Sequence, residues 1–416
     1  MAEGSSIADA ALAPEGAARL EWAEGLMPVL GLIRERFASE QPLAGVRVAA
    51  CLHVTAETGS LARTLVAGGA QLELCSANPL TIQDDVAAAL ATEAGVTVHA
   101  RRDENLDAYA EHVEALVGAQ PQITLDDGAD LLSFMHARGG EPLETVIGGT
   151  EETATGLLRL RRVEAQGELR CPVLAVNEAR AERTLNDRYG TGQSALDGIL
   201  RAANLLLAGH TLVLFGYGYA GRGIAQRARG AGAAVVVCEV DPLRALEARM
   251  EGFEVMTSLA AAQRGDLFIT VTGSRAVLRA EHFKRMKDGA VLANAGHFDV
   301  EIDLDELRAV AGEPRPVLPL VDQYEIEGRK INLLARGRVV NLAAGEGHPA
   351  AVMDVSFALQ ALAIEHLVRH GSELEPRVLD VPHAIDDEVA RLKLAALGVT
   401  IDALTDEQIG YRQSWM

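Results

Sequence analysis

A glycine-rich turn between an apolar strand pattern and a helical pattern constrains the fold of this chain most. The run TLVLF, beginning at Thr211, leads directly into GYGYAG, in which Gly216, Gly218 and Gly221 open a helical pattern. Glycines in such a turn let the backbone bend sharply and approach a pyrophosphate group at the helix N-terminus. We therefore expect these three glycines to bind a dinucleotide.

The next strand pattern ends in an acidic residue that selects the dinucleotide. Glu239 closes the run AAVVVCE, 18 residues beyond Gly221. A carboxylate at this strand end accepts hydrogen bonds from the ribose hydroxyls and repels a 2′-phosphate group. The pattern predicts NAD rather than NADP. The alternative interpretation is a chance glycine turn beside a solvent-facing glutamate.

Strand and helix patterns also alternate earlier in the chain. From Val46 onward the runs VRVAACLHV, AQLELCSAN, VTVHA and PQITLDD have strand character, and helical patterns separate them. Such alternation predicts parallel sheets covered by helices. We expect an α/β fold with two Rossmann-like, doubly wound domains joined by hinges, followed by a short C-terminal tail.

The length of 416 residues fits two domains of ordinary size. We expect residues 1–184 together with 341–385 to form a substrate-binding domain. Residues 185–340 would form the NAD-binding domain, with hinges near residues 185 and 340. The tail would comprise residues 386–416.

Charge and composition exclude several function classes. The formal net charge of -21 disfavours binding to nucleic acid or to an anionic membrane surface. The N-terminus has no basic segment followed by an apolar run, so a cytoplasmic location is expected. The cysteines are scattered without CxxC spacing and are expected to be buried, reduced thiols. They are Cys51, Cys75, Cys171 and Cys238.

Several ionisable residues lie beside strand ends or glycine turns, where wound sheets bind ligands. They are His53, Asp127, Glu152, His297 and His348. Each of them alone is more often a satisfied polar residue than a catalytic one. Histidines and carboxylates of this kind could instead bind zinc. No HxxxH or HExxH pair is present, however, so no metal site is predicted.

A family resemblance connects these residues. The blocks CLHVTAETGSLARTLVAGGAQ, SANPLTIQDDVAAAL, DDGADL, GGTEETATG, RYGTGQS, GYGYAGRG, NAGHFDVEID and GRVVNLAAGEGHP occur in this order. Nearly the whole chain thereby resembles S-adenosylhomocysteine hydrolases, most closely the short-tailed archaeal and bacterial members. The resemblance implies a homotetramer that acts on an adenine nucleoside. It also implies a tightly held NAD that oxidises the 3′-hydroxyl to a ketone, which makes the C4′ hydrogen acidic. The 5′ substituent then leaves, water adds, and reduction of the ketone restores the NAD.

The resemblance also assigns roles to individual positions. It implies that His53 and Asp127 transfer protons near C4′ and C5′, and that Glu152 and His297 hold the sugar. It implies that the adenine base is contacted by Thr55 and Glu57 and by a loop that contains Gly347 and His348. The further NAD contacts that it implies are Thr153, Thr155, Thr272, Asn294 and Asn341.

One segment departs from the family pattern. Typical members carry a lysine and, four residues on, an aspartate followed by an asparagine, whereas this chain has Glu182, Asn186 and Asp187 in the same register. We expect Glu182 and Asn186 to take part in catalysis and Asp187 to contact NAD. The nearby Arg180 and Arg183 cannot replace the lysine fully, because a guanidinium does not readily give up its proton. Sugar binding is therefore expected to differ from that of typical members.

Three functions remain open from the sequence. The favoured one is a nucleoside dehydratase that forms a 4′,5′-ene, as in angustmycin-type antibiotic synthesis, because the altered segment indicates a changed substrate. The second is hydrolysis of S-adenosylhomocysteine to adenosine and homocysteine. The third is a non-catalytic, NAD-sensing regulator.

Overall fold

The computed structural model describes residues 4–297 and 299–414. Residues 1–3 of the predicted first domain, Phe298 of the NAGHFD block and residues 415–416 of the predicted tail lie outside this part. The strands are β1 Ser6–Ile7, β2 Arg47–Leu52, β3 Gln71–Ser76, β4 Val96–Ala100, β5 Ile123–Asp126, β6 Gly148–Glu151, β7 Val173–Ala175, β8 Thr211–Phe215, β9 Ala234–Cys238, β10 Glu254–Val255, β11 Leu267–Thr270, β12 Ala290–Asn294, β13 Arg315–Leu318, β14 Val321–Ile326, β15 Arg329–Leu334 and β16 Val378–Asp380.

Helices connect and cover these strands. The α-helices are α1 Ala13–Glu24, α2 Pro28–Glu40, α3 Ala56–Ala67, α4 Asp84–Leu90, α5 Leu106–Gly118, α6 Asp130–Arg138, α7 Glu141–Glu144, α8 Ala154–Ala165, α9 Gly192–Ala203, α10 Tyr219–Gly230, α11 Pro242–Met250, α12 Ser258–Ala262, α13 Ala280–Phe283, α14 Leu304–Ala311, α15 Val340–Ala343, α16 Ala350–His370, α17 His383–Ala396 and α18 Asp406–Gln413. The 3-10 helices are Ala10–Leu12, Val176–Glu178, Ala335–Gly337 and Gly371–Glu373, and Glu182–Thr191 is a π-helix.

The first sheet reverses its winding between β2 and β5. Its strands lie in the order β1-β4-β3-β2-β5-β6-β7-β16, and all neighbours are parallel. The chain winds outward from β2 in one direction and from β5 in the other, so the carboxyl ends of these strands flank a crevice. His53 follows β2 and Asp127 follows β5, which places both residues at that crevice.

The second sheet repeats this winding. Its order is β10-β9-β8-β11-β12-β15-β14-β13, and among the described strands β14 alone is reversed, so that it pairs antiparallel with both β15 and β13. Gly216 follows β8 and Val271 follows β11 at the reversal point. The expected α/β fold with two Rossmann-like sheets is confirmed.

The chain passes between the two sheets twice. It leaves β7 and reaches β8 through the π-helix and α9, and it returns after β15 through α15 into α16. A π-helix of ten residues is unusual, because such helices are mostly single turns and are frequent at functional sites. It packs so closely on α10 that a Cβ atom on Gly223 would lie 1.8 Å from the carbonyl oxygen of Arg188. The expected hinges near residues 185 and 340 fall in the π-helix and at the start of α15, and their motion stays a prediction.

Helix α16 lies in the core of the first half. By length and composition the segment Ala350–Glu373 could span a membrane, but 72% of its most apolar window is buried inside the fold. Its apolar side chains pack with those of α2, α3 and the first sheet. The segment is therefore a core helix. The four cysteines are free and buried, as expected.

The C-terminal region divides into a packed and an exposed part. Helix α17 packs on α2 and α16, and its Asp386 accepts hydrogen bonds from the backbone amides of Arg180 and Ala181. Residues 400–414, which include α18, are exposed throughout. The expected start of the tail at residue 386 falls inside α17, so we place it after Ala396.

Candidate active site

One large cavity lies where the carboxyl edges of the two sheets face each other. Its volume is about 1010 Å³, at the upper end of the range of about 300–1,000 Å³ for small-molecule sites. Its walls include residues that follow β2 and β5 of the first sheet and β8 and β11 of the second. All the candidate residues predicted from the sequence line this cavity except Asn294.

Two histidines flank an aspartate in the first half of the cavity. One carboxylate oxygen of Asp127 lies 3.6 Å from Nε2 of His53, and the other lies 3.6 Å from Nδ1 of His297. The Nδ1 atom of His53 lies 2.7 Å from the hydroxyl of Thr81, which fixes the ring so that Nε2 faces Asp127. Burial lowers the pKa of His53, with Asp127 opposing this shift. A neutral His53 is thus available as a proton acceptor at neutral pH.

The same three side chains have the donor set of a metal site. One ligand atom from each of His53, Asp127 and His297 lies within 4.8 Å of the others. These ligands come from three separate segments, which a search for two histidines on one helix cannot find. The prediction that no metal is used is not tested by this geometry and stays a prediction.

An acidic wall adjoins this cluster. Burial raises the pKa of Glu152 to about 8 and that of Asp187 to about 7. Burial also raises the pKa of Glu182 well above its usual value, and Glu152 and Asp187 add to this shift. Among the described residues no lysine lines the cavity. Glu152 is therefore held mainly in the neutral form at pH 7, where it can donate as well as accept hydrogen bonds.

The sequence analysis missed two residues that lie behind this wall. Ser356 accepts a hydrogen bond of 2.7 Å from Nδ2 of Asn186, and its hydroxyl opposes the rise in the pKa of Glu182. Gln360, whose buried side-chain amide has no hydrogen-bond partner among the described residues, opposes the rise in the pKa of Glu152. Ser356 and Gln360 lie four positions apart and are buried on the otherwise apolar helix α16. Polar residues at helical spacing within an apolar helix were the signal that could have revealed them.

The predicted base-binding residues form another wall. Thr55 is the N-cap residue of α3, and Glu57 lies in its first turn. Burial raises the pKa of Glu57. Opposite them, Nε2 of His348 lies 3.2 Å from the hydroxyl of Thr191 on the π-helix, and burial lowers the pKa of His348 to about 4. Gly347 has a φ of +80°, a conformation that favours glycine.

The glycine turn has the shape that a pyrophosphate requires. Gly216 has a φ of +98°, and a Cβ atom there would lie 2.8 Å from the carbonyl oxygen of Val271. A Cβ atom on Gly221 would lie 2.2 Å from the carbonyl oxygen of Gly216, so the turn packs tightly on itself. At Gly218 the nearest atom would be 3.8 Å away, on Arg244, which leaves room for a ligand. A dinucleotide therefore fits this turn.

Two carboxylates organise the loops around the turn. Glu239 accepts hydrogen bonds from the backbone amides of Tyr217, Val240 and Asp241 at 2.7, 2.6 and 3.0 Å. A carboxylate has about four acceptor sites, so capacity remains for a ribose hydroxyl. Glu301, which the sequence analysis missed, accepts bonds from the amide and hydroxyl of Thr272 at 2.9 and 2.7 Å. It thereby fixes the loop after β11.

The remaining predicted NAD contacts differ in placement. Thr153 caps helix α8 through a bond from the amide of Gly156, and its side chain is on the cavity wall together with Thr155. Asn341 donates to Ser194 while its Oδ1 atom, among the described residues, has no hydrogen-bond partner. Asn294 is fully buried behind the wall. Its amide bonds to the backbone around Gly296 and Gly337, so its placement fits a loop-supporting residue.

Comparison with known proteins assigns the chain to a family. Residues 5–145 match the family model of S-adenosyl-L-homocysteine hydrolase, and residues 187–347 match the model of its NAD binding domain. An adenosylhomocysteinase from Aquifex aeolicus is 54% identical over 98% of both chains. The chain belongs to the S-adenosyl-L-homocysteine hydrolase family.

Membership of this family settles the cofactor and the general class. The cofactor of this family member is NAD, and the protein is an enzyme. An S-inosyl-L-homocysteine hydrolase from Methanopyrus kandleri is 51% identical over 99% of this chain and 97% of its own. A dipicolinate synthase chain from Bacillus halodurans shares the fold alone, with a TM-score of 0.50 at 12% identity over 79% of this chain and 99% of that chain.

The comparisons change the ranking of the functions expected from the sequence. The relatives that match over the full length are named as hydrolases. They favour the hydrolase alternative over the dehydratase that the altered segment suggested, and membership in an enzyme family disfavours the non-catalytic regulator. The dehydratase was expected because Glu182 replaces a lysine, and Glu182 does line the cavity.

Proposed function

We propose that this enzyme hydrolyses S-adenosylhomocysteine to adenosine and homocysteine. The observation that carries the proposal is the meeting of two parts in one cavity. The turn from Gly216 to Gly221 suits a dinucleotide, and the group formed by His53, Asp127 and His297 suits proton transfer. Full-length relatives named as hydrolases of S-adenosyl- or S-inosylhomocysteine support the same reaction.

The proton-transfer steps fall to the residues at the first crevice. When bound, NAD supplies reversible hydride transfer, which makes the C4′ hydrogen of the substrate acidic by oxidising the neighbouring sugar carbon. Asp127 then takes the C4′ proton and passes it to the neutral His53, which donates it at C5′ as the thiolate leaves; the same path runs in reverse when water adds. Their 3.6 Å separation allows a proton to pass between them after a small approach. His297 contacts the sugar edge on the opposite side of Asp127.

The acidic wall holds the sugar. Glu152, with its pKa raised to about 8 by burial, donates a hydrogen bond to a sugar oxygen at neutral pH. Glu182 and Asn186 meet the hydroxyl groups that typical members hold with a lysine and an aspartate. Asp187, at the end of the same wall, faces the cofactor. Closure of the cavity over the substrate would strengthen each of these contacts by excluding water.

The purine ring lies between Thr55, Glu57 and the loop of Gly347 and His348. A carboxylate at Glu57 accepts hydrogen bonds from the 6-amino group of adenine, whereas a 6-oxo purine carries an acceptor at that position and has its donor at N1 instead. We therefore propose adenine as the base. The S-inosylhomocysteine hydrolase among the relatives makes this choice one to be tested.

The domain assignment fits closure over the substrate. We propose that residues 1–184 with 341–396 bind the nucleoside and that residues 185–340 bind NAD. The remaining NAD contacts would be Glu239, Thr153, Thr155, Thr272 and Asn341. Movement about the π-helix Glu182–Thr191 and the segment before α16 would bring the two halves together.

A second candidate function is a dehydratase that forms a 4′,5′-ene. Glu182 favours it, because a buried carboxyl in place of a lysine changes the hydroxyl array that the wall can hold. The same C4′ deprotonation would then expel hydroxide from C5′, with a proton from His53, and no water would be added back.

Product analysis separates the two candidates. The purified, NAD-loaded enzyme is incubated with S-adenosylhomocysteine or with adenosine, and the products are identified by mass spectrometry. Hydrolysis predicts homocysteine and adenosine from the first substrate. A nucleoside that has lost one water from adenosine, without homocysteine release, would support the dehydratase instead.

The quaternary structure and the location of the enzyme are proposals as well. We propose a homotetramer in the cytoplasm. Exposed apolar residues near the C-terminus, such as Leu397, Ile401 and Tyr411, support association because isolated chains seldom leave such a series in water. Light scattering after size exclusion would give a mass near four times 44.1 kDa, and a monomer would refute the assembly.

A further inference from the structure

Ser356 links two residues of the acidic wall without reaching the cavity itself. It lies on α16, is 1% exposed and is not part of the cavity lining. On the neighbouring π-helix, Glu182 and Asn186 lie four positions apart and do line the cavity. The two helices pack directly against each other.

The hydrogen bond between Asn186 and Ser356 has a fixed direction. The amide nitrogen of Asn186 carries two protons, and it donates to Oγ of Ser356 at 2.7 Å and to Sδ of Met353 at 3.5 Å. A hydroxyl group has a single proton, so the proton of Ser356 remains available to Glu182, and the Ser356 hydroxyl lowers the pKa of Glu182 against the effect of burial, as a donor does.

Both residues thereby keep an acceptor for a ligand. The donors of Asn186 are used, so its Oδ1 atom, with no bond in the described part of the chain, is the polar atom left for the cavity. The Oε2 atom of Glu182 is buried and, among described residues, has no hydrogen-bond partner. A buried acceptor without a partner is costly in a folded protein. A ligand with two hydroxyl groups would satisfy both atoms.

We propose that Ser356 is a positioning residue that orients Asn186 and Glu182 so that both accept hydrogen bonds from neighbouring hydroxyl groups of the substrate sugar. This inference rests on the proposed nucleoside site and deepens it, because it assigns the recognition of a diol to a residue behind the wall. Without the Ser356 hydroxyl, the Asn186 amide can rotate and present its NH₂ group, and Glu182 loses its donor.

Binding without turnover tests this inference. Equilibrium dialysis with NADH-loaded enzyme, in which the sugar cannot be oxidised, compares adenosine with 2′,3′-dideoxyadenosine. We expect wild type to bind adenosine at least tenfold more tightly. Ser356→Ala should weaken adenosine binding about tenfold and leave dideoxyadenosine within twofold of wild type. Ser356→Thr, which keeps the hydroxyl, should restore most of the preference.

The control is Thr64→Val on α3, which removes another fully buried hydroxyl that bonds only to the carbonyl of Ser60. It should leave both affinities unchanged. If Ser356→Ala is not folded, Ser356→Cys, a weak donor of similar size, is compared in the same way. A preserved preference, or equal losses for both ligands, would overturn the role of Ser356. Failure of wild type to bind adenosine would instead refute the proposed function.

Discussion

Replacing Glu152 with glutamine should stabilise the protein while it impairs catalysis. Burial and the nearby Asp127 raise the pKa of Glu152 from 4.5 to about 8. In the unfolded chain this carboxyl is ionised at pH 7, whereas in the folded chain it is mostly protonated. Its contribution to stability is therefore fully present below pH 4.5 and is lost as the pH rises towards 8.

The magnitude follows from linkage. The difference in protonation costs the folded state about 3 kcal/mol at pH 7, and solvent in the cavity reduces this to about 2 kcal/mol. Glu152→Gln removes the ionisation but keeps the shape. The variant should gain about 2 kcal/mol at pH 7 and show a flatter loss of stability between pH 5 and pH 8.

Urea unfolding at several pH values measures both quantities. The matched control is Glu178→Gln, because hydrogen bonds from Arg161 lower the pKa of Glu178. The free energy of unfolding of that variant should fall slightly at pH 7, which is opposite in sign to the change expected for Glu152→Gln. If Glu152→Gln is as stable as wild type at pH 7, or if its gain is the same at pH 5 and pH 8, the burial argument for the acidic wall is wrong.

Three further predictions concern catalysis and binding. Asp127→Asn and His53→Ala should each slow homocysteine release about 10²- to 10⁴-fold with NAD occupancy unchanged; a loss of bound NAD would show a structural defect instead. Glu239→Ala should weaken NAD binding about tenfold and improve NADP binding, and unchanged occupancy in both cases would refute the ribose assignment. The double change Glu182→Lys with Asn186→Asp should raise activity on S-adenosylhomocysteine, whereas Glu182→Lys alone should lower it because the new ammonium lacks its carboxylate. Equal activity of all three proteins would show that the altered segment is neutral.

The fold could be predicted from local patterns. Strand runs such as TLVLF, followed by Gly216 and an acidic strand end at Glu239, indicate a dinucleotide domain because each feature has a local physical cause. Placement of His53 and Asp127 at one crevice follows from parallel winding alone. His297 follows a strand of the other sheet, so its position beside Asp127 could not be predicted from local patterns and became evident only from the family resemblance and the structure.

Other features depend on packing that no local pattern encodes. The segment after Glu182 contains weak helix formers such as Asn186, Asp187 and Gly190, yet it forms a π-helix wedged between α10 and α16. Ser356 is a polar residue in an apolar helix, and only its contact with Asn186 shows its place. Asn294 lies in a family block but is buried behind the wall, because motif position does not specify which way a side chain turns.

The central claim is that one cavity couples NAD to proton transfer at C4′. Solvent exchange tests it most directly: NAD-loaded wild type is incubated with adenosine in D₂O, and the recovered nucleoside is examined by proton NMR. The account predicts one deuterium at C4′, which disappears when NAD is removed and when Asp127 is replaced by asparagine. No incorporation with NAD bound, or incorporation that persists without it, would contradict the claim.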